Sequence, residues 1–232
     1  MSNIKYCIPI LKHTKKEVLE TINKNKKQYD FFEVWLDYIK DLDLQFVQSL
    51  AKLLPRQLLL LFRRQNLEPT KLPWQNRVEI IKALEKSDVL FDLDIFSQKK
   101  ELDFIRKSNL RNKKIISFHN YKQTPSDISL KNIIKKMEVY QPNIYKVSTF
   151  CNSENDSIRL LNILISLKEK SLNFIILGMG AKGVTARICG LILGNQMNFA
   201  PKTLAEKSAP GQLIKKDLEL IAKIVASSQL TK

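Results

Sequence analysis

Residues 114–148, KIISFHNYKQTPSDISLKNIIKKMEVYQPNIYKVS, carry the pattern that decides the fold. Residues 114–118 and 144–148 are short apolar runs of the kind that form buried strands, and residues 129–139 between them have apolar side chains at helical spacing. A strand, a helix and a second strand in this order predict a right-handed βαβ unit with two parallel strands.

The same alternation continues along the whole chain. Strands are predicted at residues 5–10, 31–36, 57–62, 89–95, 114–118, 144–148, 173–179 and 196–200. Helices are predicted at residues 14–23, 43–53, 76–86, 99–107, 129–139, 152–169, 184–193 and 217–226. Eight such units in 232 residues favour a closed (β/α)8 TIM barrel, whose typical length is about 250 residues. No linker rich in Pro, Gly or Ser divides the chain, so we expect a single barrel domain over residues 1–232.

The composition argues against several classes of protein. No apolar run approaches the ~20 residues of a membrane span, and the N-terminus lacks the features of a signal peptide. Three widely spaced cysteines and two histidines do not favour a structural metal site and suit a cytoplasmic protein. The net charge of +16 would suit nucleic acid or an anionic substrate, but the lysines are scattered through every segment. We therefore expect a lysine-rich solvated surface, with no nucleic-acid and no membrane partner.

In a (β/α)8 barrel, functional side chains lie at the carboxyl ends of the strands. Lys146 stands inside an apolar run, where lysine is rare unless it is paired or functional, and a desolvated amine can form a Schiff base with a ketone. His119 follows the neighbouring strand and could transfer protons, while Arg63 and Arg187 suit a carboxylate or phosphate. On spacing alone, Lys146 could instead hold its ammonium in water at a strand end, and His119 could be satisfied by backbone hydrogen bonds.

These residues lie in motifs that resemble the type I 3-dehydroquinate dehydratase family. Residues 116–125, ISFHNYKQTP, are similar to the family's histidine segment, and residues 145–147 to its lysine segment. Residues 177–187, LGMGAKGVTAR, resemble a glycine-rich element that ends in a substrate-binding arginine. Residues 208–212, SAPGQ, resemble the loop that closes over the substrate. The resemblance runs from about residue 5 to the C-terminus and is strongest between residues 119 and 212.

The resemblance implies a Schiff-base hydro-lyase of the shikimate pathway. Lys146 would form an imine with the C3 ketone of 3-dehydroquinate, and His119 would move the protons that lead to 3-dehydroshikimate and water. A homodimer that needs no cofactor and no metal is also implied. The substrate-binding residues implied by the resemblance are Glu33, Trp35, Arg63, Arg187, Ser208 and Gln212.

Two positions depart from the family pattern. Trp35 stands where the family usually has a substrate-binding arginine, and Leu67 stands where it usually has a glutamate oriented toward the histidine. Glu68, Glu33 or Asp92 could replace that glutamate, or the histidine could be more weakly activated. Three interpretations stay open: an active dehydratase with a changed substrate-hydroxyl pocket, another Schiff-base lyase of aldolase type that acts on an anionic keto acid, and a non-catalytic basic barrel that binds nucleic acid or protein.

Overall fold

Eight parallel strands form a barrel in the computed structural model, which describes residues 4–229. The strands follow the order β7-β6-β5-β4-β3-β2-β1-β8, and each hydrogen-bonded pair is parallel. Their bounds are β1 Tyr6–Ile10, β2 Phe31–Trp35, β3 Leu58–Leu61, β4 Leu90–Asp94, β5 Lys113–Asn120, β6 Ile144–Phe150, β7 Phe174–Met179 and β8 Asn198–Phe199. The predicted (β/α)8 barrel is therefore confirmed, while the domain limits at residues 1 and 232 lie outside the described residues.

A helix follows every strand. The bounds are α1 Lys15–Asn25, α2 Leu44–Leu53, α3 Trp74–Ala83, α4 Lys99–Lys107, α5 Asp127–Glu138, α6 Glu154–Glu169, α7 Val184–Leu193 and α8 Lys215–Gln229. All eight predicted helices are present, with ends that differ by a few residues. The Thr14 side chain accepts a hydrogen bond from the backbone N–H of Glu17, so α1 begins with the capping box that its sequence predicts. No helix within residues 4–229 is both long enough and apolar enough to span a bilayer.

Strands β5 and β6 are longer than predicted. Parallel pairing continues through His119 with Ser148 and Asn120 with Thr149. Strand β5 thus ends at Asn120, two residues after its predicted end, and β6 ends at Phe150, also two residues late. The polar side chains in these extra pairs still alternate between the two faces of the sheet. Those that point inward face the polar interior of the barrel, so the strands can continue through them. His119 therefore lies within a strand and not after one, which fixes its backbone.

An asparagine side chain closes the seam between β7 and β8. Asn195 accepts a hydrogen bond from the backbone N–H of Ile176 at 2.8 Å and donates one to the Ile176 carbonyl at 3.1 Å. Beside it, the backbone N–H of Gln196 donates to the Phe174 carbonyl at 2.9 Å. The buried amide thus supplies the donor and acceptor that a neighbouring strand would provide. We attribute the shortness of β8 to this replacement.

The barrel has an apolar floor and a polar upper interior. Most of the hydrophobic core lies between the strands and the helices, and a smaller cluster lies within the barrel. The buried members of that smaller cluster are Cys7, Leu59, Ile115, Ile144, Ile175, Leu177, Met197 and Phe199. Toward the carboxyl ends of the strands, the inward positions are occupied by buried charges such as Glu33, Asp92 and Lys146. This polar layer is where a (β/α)8 barrel binds its ligands.

Candidate active site

The amine of Lys146 lies inside the barrel and not in water. Its side chain is 4% exposed, and its Nζ lies 2.6 Å from Oδ2 of Asp92 and 3.7 Å from Oε1 of Glu33. The same nitrogen lies 4.1 Å from the centroid of the Phe199 ring. Strand alternation on β6 aims the side chain inward, and the apolar floor lies below it. Lys146 is therefore a buried, paired lysine with access to the cavity above.

Asp92 joins this lysine to a second cation. Its Oδ1 accepts a hydrogen bond from the Arg63 guanidinium at 3.0 Å, while its Oδ2 faces Lys146. Burial alone would raise the pKa of Asp92, but the charges of Arg63 and Lys146 hold it well below its ordinary value. Asp92 is thus an ionised counter-charge that fixes the positions of both cations.

Glu33 and Trp35 form one wall of the cavity. The indole Nε1 of Trp35 donates a hydrogen bond to Oε2 of Glu33 at 2.8 Å, and the Arg63 guanidinium lies 5.9 Å from the indole ring. Burial raises the pKa of Glu33 above its ordinary value, although the charge of Lys146 opposes that shift. Where the family pattern has an arginine, this wall therefore has a neutral donor and an apolar surface.

The carboxylate that bonds His119 is Asp94. Its Oδ2 lies 3.1 Å from Nδ1 of the imidazole and accepts a hydrogen bond from the His119 backbone N–H at 3.0 Å. The three substitutes suggested by the sequence have other partners: Glu68 pairs with Arg64, Glu33 bonds Trp35, and Asp92 bonds Lys146 and Arg63. Those suggestions are wrong, because none of the three bonds the imidazole. The register pairs Asp94 with Ser117, two residues before His119 on the same face of β5, and the Asp94 carboxylate reaches His119 from there.

Burial and the nearby charge of Arg63 lower the pKa of His119 to about 4, and the hydrogen bond to Asp94 opposes this shift. The imidazole is therefore neutral at pH 7 and can accept a proton. Tyr121 packs beside it, with the two ring centroids 6.3 Å apart and nearly parallel planes. His119 is thus a buried neutral base at the edge of the cavity.

Arg187 supplies a buried positive charge on the other side of the cavity. It lies on α7, and its Nε donates to the Gly178 carbonyl at 2.6 Å. Burial lowers its pKa to about 10, which still leaves it protonated at pH 7. Gly178 allows the approach of the chain at Gly183, since a Cβ on Gly178 would lie 2.5 Å from the Gly183 oxygen. A desolvated guanidinium in this position is suited to an anionic ligand.

A lid formed by residues 208–212 covers the cavity. Oε1 of Gln212 accepts a hydrogen bond from the Ser208 backbone N–H at 2.8 Å, and its Nε2 donates to the Ser208 hydroxyl at 2.9 Å. The lid rests on the turn after β7, where Gly180 N–H donates to the Pro210 carbonyl at 3.3 Å. Gly211 has φ of 77°, and a Cβ there would lie 2.6 Å from the Gly180 oxygen. The lid is therefore closed through a contact that requires glycine.

The structure brings all eight predicted site residues together around one cavity of about 30 Å³, which is enough for a few waters. They are Glu33, Trp35, Arg63, His119, Lys146, Arg187, Ser208 and Gln212. The sequence analysis missed Tyr121 and Ser148, which also line the cavity. Ser148 lies two residues after Lys146, so strand alternation could have identified it. Within residues 4–229, no cluster of three or more His, Cys, Asp or Glu side chains is arranged to hold a metal ion.

The fold and the site match one family of known proteins. The sequence model of type I 3-dehydroquinase matches residues 6–228. A 3-dehydroquinate dehydratase from Thermodesulfovibrio yellowstonii is 32% identical over 228 residues, which cover 97% of each chain. One from Methanococcus maripaludis is 27% identical, covering 94% of this chain and 99% of the relative. The crystal structure of 3-dehydroquinate dehydratase from Geobacillus kaustophilus has the same fold, with a TM-score of 0.81, 22% identity and coverage of 97% and 92%. By family match and sequence identity, the chain belongs to the type I 3-dehydroquinase family.

Proposed function

We propose that this protein is a 3-dehydroquinate dehydratase, a hydro-lyase that converts 3-dehydroquinate to 3-dehydroshikimate and water in the shikimate pathway. The observation that carries the proposal is the buried amine of Lys146 in one cavity with a neutral imidazole and a buried guanidinium. Family membership supplies the substrate, and the side chains around the cavity supply the chemistry that this substrate needs.

The reaction begins with an imine between Lys146 and the substrate. The neutral amine attacks the C3 ketone, water leaves, and a protonated imine forms. Attack requires that Nζ first lose a proton to a neighbouring group. Asp92 is unsuited to keep that proton because its pKa is well below the ordinary value, whereas burial raises the pKa of Glu33, which lies 3.7 Å from Nζ. We therefore assign Glu33 as the group that receives it.

His119 carries out the elimination. The protonated imine withdraws electrons from C2, so the C2–H bond becomes acidic. The neutral imidazole removes the C2 proton and then donates a proton to the hydroxyl that leaves C1, which forms the C1–C2 double bond. Hydrolysis of the imine consumes one water and releases 3-dehydroshikimate with free Lys146. The net change is the loss of one water.

Arg187 and the lid hold the substrate in place. The buried guanidinium binds the substrate carboxylate, and the Ser208 hydroxyl donates to the substrate while Gln212 bonds Ser208 from behind. The lid opens to let the substrate enter. When it closes again, it excludes water and strengthens these charged contacts. Glu33, Trp35 and Arg63 face the hydroxyl groups of the ring.

A cytoplasmic homodimer completes the proposal. The resemblance to the family supports the dimer, and the free cysteines support a reducing compartment: Cys7 and Cys151 are buried thiols. Light scattering on the purified protein should give twice the 26.9 kDa mass of one chain. A monomer at micromolar concentration would contradict the dimer and leave the chemical proposal unaffected.

The decisive experiment traps the imine during turnover. Incubation with 3-dehydroquinate should produce the absorbance of a conjugated enoate, and borohydride added at that stage should leave a secondary amine on Lys146, identified by peptide mass spectrometry. Lys146→Ala should show neither signal. Lys182→Ala is the matched control, because Lys182 is half exposed and pairs with Glu154. Turnover without an adduct on Lys146 would contradict the mechanism, and no turnover by the wild type would contradict the substrate.

A further inference from the structure

Asp94 accepts four hydrogen bonds and has a fifth contact, with the imidazole of His119. Its Oδ1 accepts from the backbone N–H groups of Phe96 and Ser97, both at 3.0 Å, and from the Ser97 hydroxyl at 3.1 Å. Its Oδ2 faces the backbone N–H of His119 and the imidazole Nδ1. Burial alone would raise the pKa of Asp94, but the hydrogen bond to His119 and the nearby charges hold it below its ordinary value, so the carboxylate is ionised at pH 7. Its side chain is 1% exposed, so no bulk water competes for these contacts.

This arrangement dictates which imidazole nitrogen carries the proton. A neutral imidazole has one N–H and one free lone pair, and a carboxylate can bond only the N–H. Nδ1 must therefore be the donor to Oδ2 of Asp94, across the 3.1 Å contact. Nε2, on the far edge of the ring, is then left with the lone pair that removes a proton. The backbone bond from His119 to the same oxygen also holds the ring at a fixed distance from β4.

We infer that Asp94 is the positioning residue that sets the tautomer and orientation of His119, a task that the family pattern assigns to a glutamate where this chain has Leu67. The inference rests on the proposed function and deepens it. Its support is geometric: the loop with Leu67 supplies no carboxylate at that position, Glu68 pairs outward with Arg64, and Asp94 occupies the imidazole edge.

An amide at position 94 cannot keep both sets of bonds. With its oxygen toward Phe96 and Ser97, its NH2 group would face the His119 backbone N–H and would force Nδ1 to accept, which moves the ring proton to Nε2. With the amide turned round, the NH2 group would face two backbone N–H groups in the loop after β4. Asp94→Asn therefore creates a donor-to-donor contact in either orientation, and the favoured outcome is the wrong tautomer.

The test combines kinetics with nitrogen NMR of the imidazole. The chain has two histidines, so His13→Gln leaves only the His119 signals and assigns them. We expect wild-type His119 to be the Nδ1–H tautomer and Asp94→Asn to shift it toward Nε2–H. We also expect kcat of Asp94→Asn to fall by ~10²–10⁴ while KM changes little and borohydride still traps the imine on Lys146.

Two variants separate positioning from mere structural support. Ser97→Ala removes one bond to Oδ1 and leaves Oδ2 on His119, so we expect near wild-type kcat and tautomer. Asp94→Glu keeps a carboxylate at this position, so His119 should remain the Nδ1–H tautomer. An Nε2–H tautomer in the wild type, or unchanged kcat in Asp94→Asn, would overturn the inference. The tautomer can be measured without substrate, so it tests Asp94 even if the protein fails to dehydrate 3-dehydroquinate.

Discussion

The two sides of the barrel differ in how closely they follow the family pattern. On the side of β5, β6 and β7, the sequence carries the histidine, the lysine and the arginine in family order, and the structure brings them to one cavity. On the side of β2 and β3, Trp35 and Leu67 replace an arginine and a glutamate, and the chain has built other contacts. The groups to which the proposed mechanism assigns the making and breaking of bonds are therefore retained, while residues that surround them differ from the family pattern.

The loop after β3 shows what has replaced the family arrangement. Asp37 accepts hydrogen bonds from Arg64 at 3.1 Å, from the Leu72 backbone N–H at 2.6 Å and from the Thr70 hydroxyl. The Arg64 guanidinium lies 4.4 Å from the Tyr38 ring centroid. Asp37 therefore bonds both ends of the loop. Asn66 and Leu67, at the centre of the loop, have φ of 54° and 58°, left-handed values that are strained for a leucine.

We call the side of β5, β6 and β7 the retained side and the side of β2 and β3 the replaced side. On the retained side, the largest expected effect after loss of Lys146 is that of His119→Ala. Imine formation should survive, since Lys146 and its partners are intact, but proton removal from C2 should slow. We expect kcat to fall by ~10²–10⁴ and the fraction of protein trapped by borohydride on Lys146 to rise. His13→Ala is the matched control, because His13 lies in a neighbouring cavity and should leave kcat unchanged. Wild-type turnover in His119→Ala would assign the base to another residue.

The same histidine predicts how stability depends on pH. The pKa of His119 is lowered to about 4 by burial, while the unfolded chain has the ordinary value of about 6.5. Between these pH values the unfolded state binds the proton more readily than the folded state does. The contribution of neutral His119 to the free energy of unfolding is therefore fully present above pH 6.5 and is lost as the pH drops toward 4. The loss from this one group is about 3 kcal/mol. Urea unfolding gives the free energy of unfolding at pH 7 and at pH 4.5. The difference between the two values should be smaller for His119→Gln than for the wild type, and equal differences would refute this account.

On the replaced side, Asp37→Asn should loosen the loop after β3. The substitution removes the negative charge that pairs with Arg64 and turns one acceptor oxygen into a donor. Since the Asp37 side chain is fully buried, water cannot replace the lost contacts. We expect a loss of about 1–3 kcal/mol in the free energy of unfolding, together with a raised KM. Asp88→Asn is the control, since its pairs with Arg56 and Lys113 are exposed and should contribute little. Equal losses in the two variants would show that Asp37 has no special role.

The sequence predicted the barrel and the retained side because their signals are local. Apolar spacing identifies each strand and helix without knowledge of their neighbours, and Lys146 stands out within its own strand. The contact between Asp94 and His119 depends on the register of two strands, and the closure by Asn195 depends on a seam that forms only when the barrel closes. These contacts join residues 19 to 25 positions apart, so no local pattern encodes them.

Trp35 gives the smallest effect and the sharpest test of the comparison. The structure has two features that suit a rebuilt pocket: the indole N–H bonds Glu33, and the ring lies beside Arg63. Trp35→Phe keeps the ring and removes the donor, so Glu33 Oε2 loses a buried partner; we expect KM to rise by ~3–10-fold with little change in kcat. Trp35→Arg places a third cation near Arg63 and Lys146, and in a rebuilt pocket it should also raise KM. If Trp35→Arg lowers KM instead, the tryptophan has removed a substrate contact without supplying another. The side of β2 and β3 would then have lost a substrate contact, and no new contact would have replaced it.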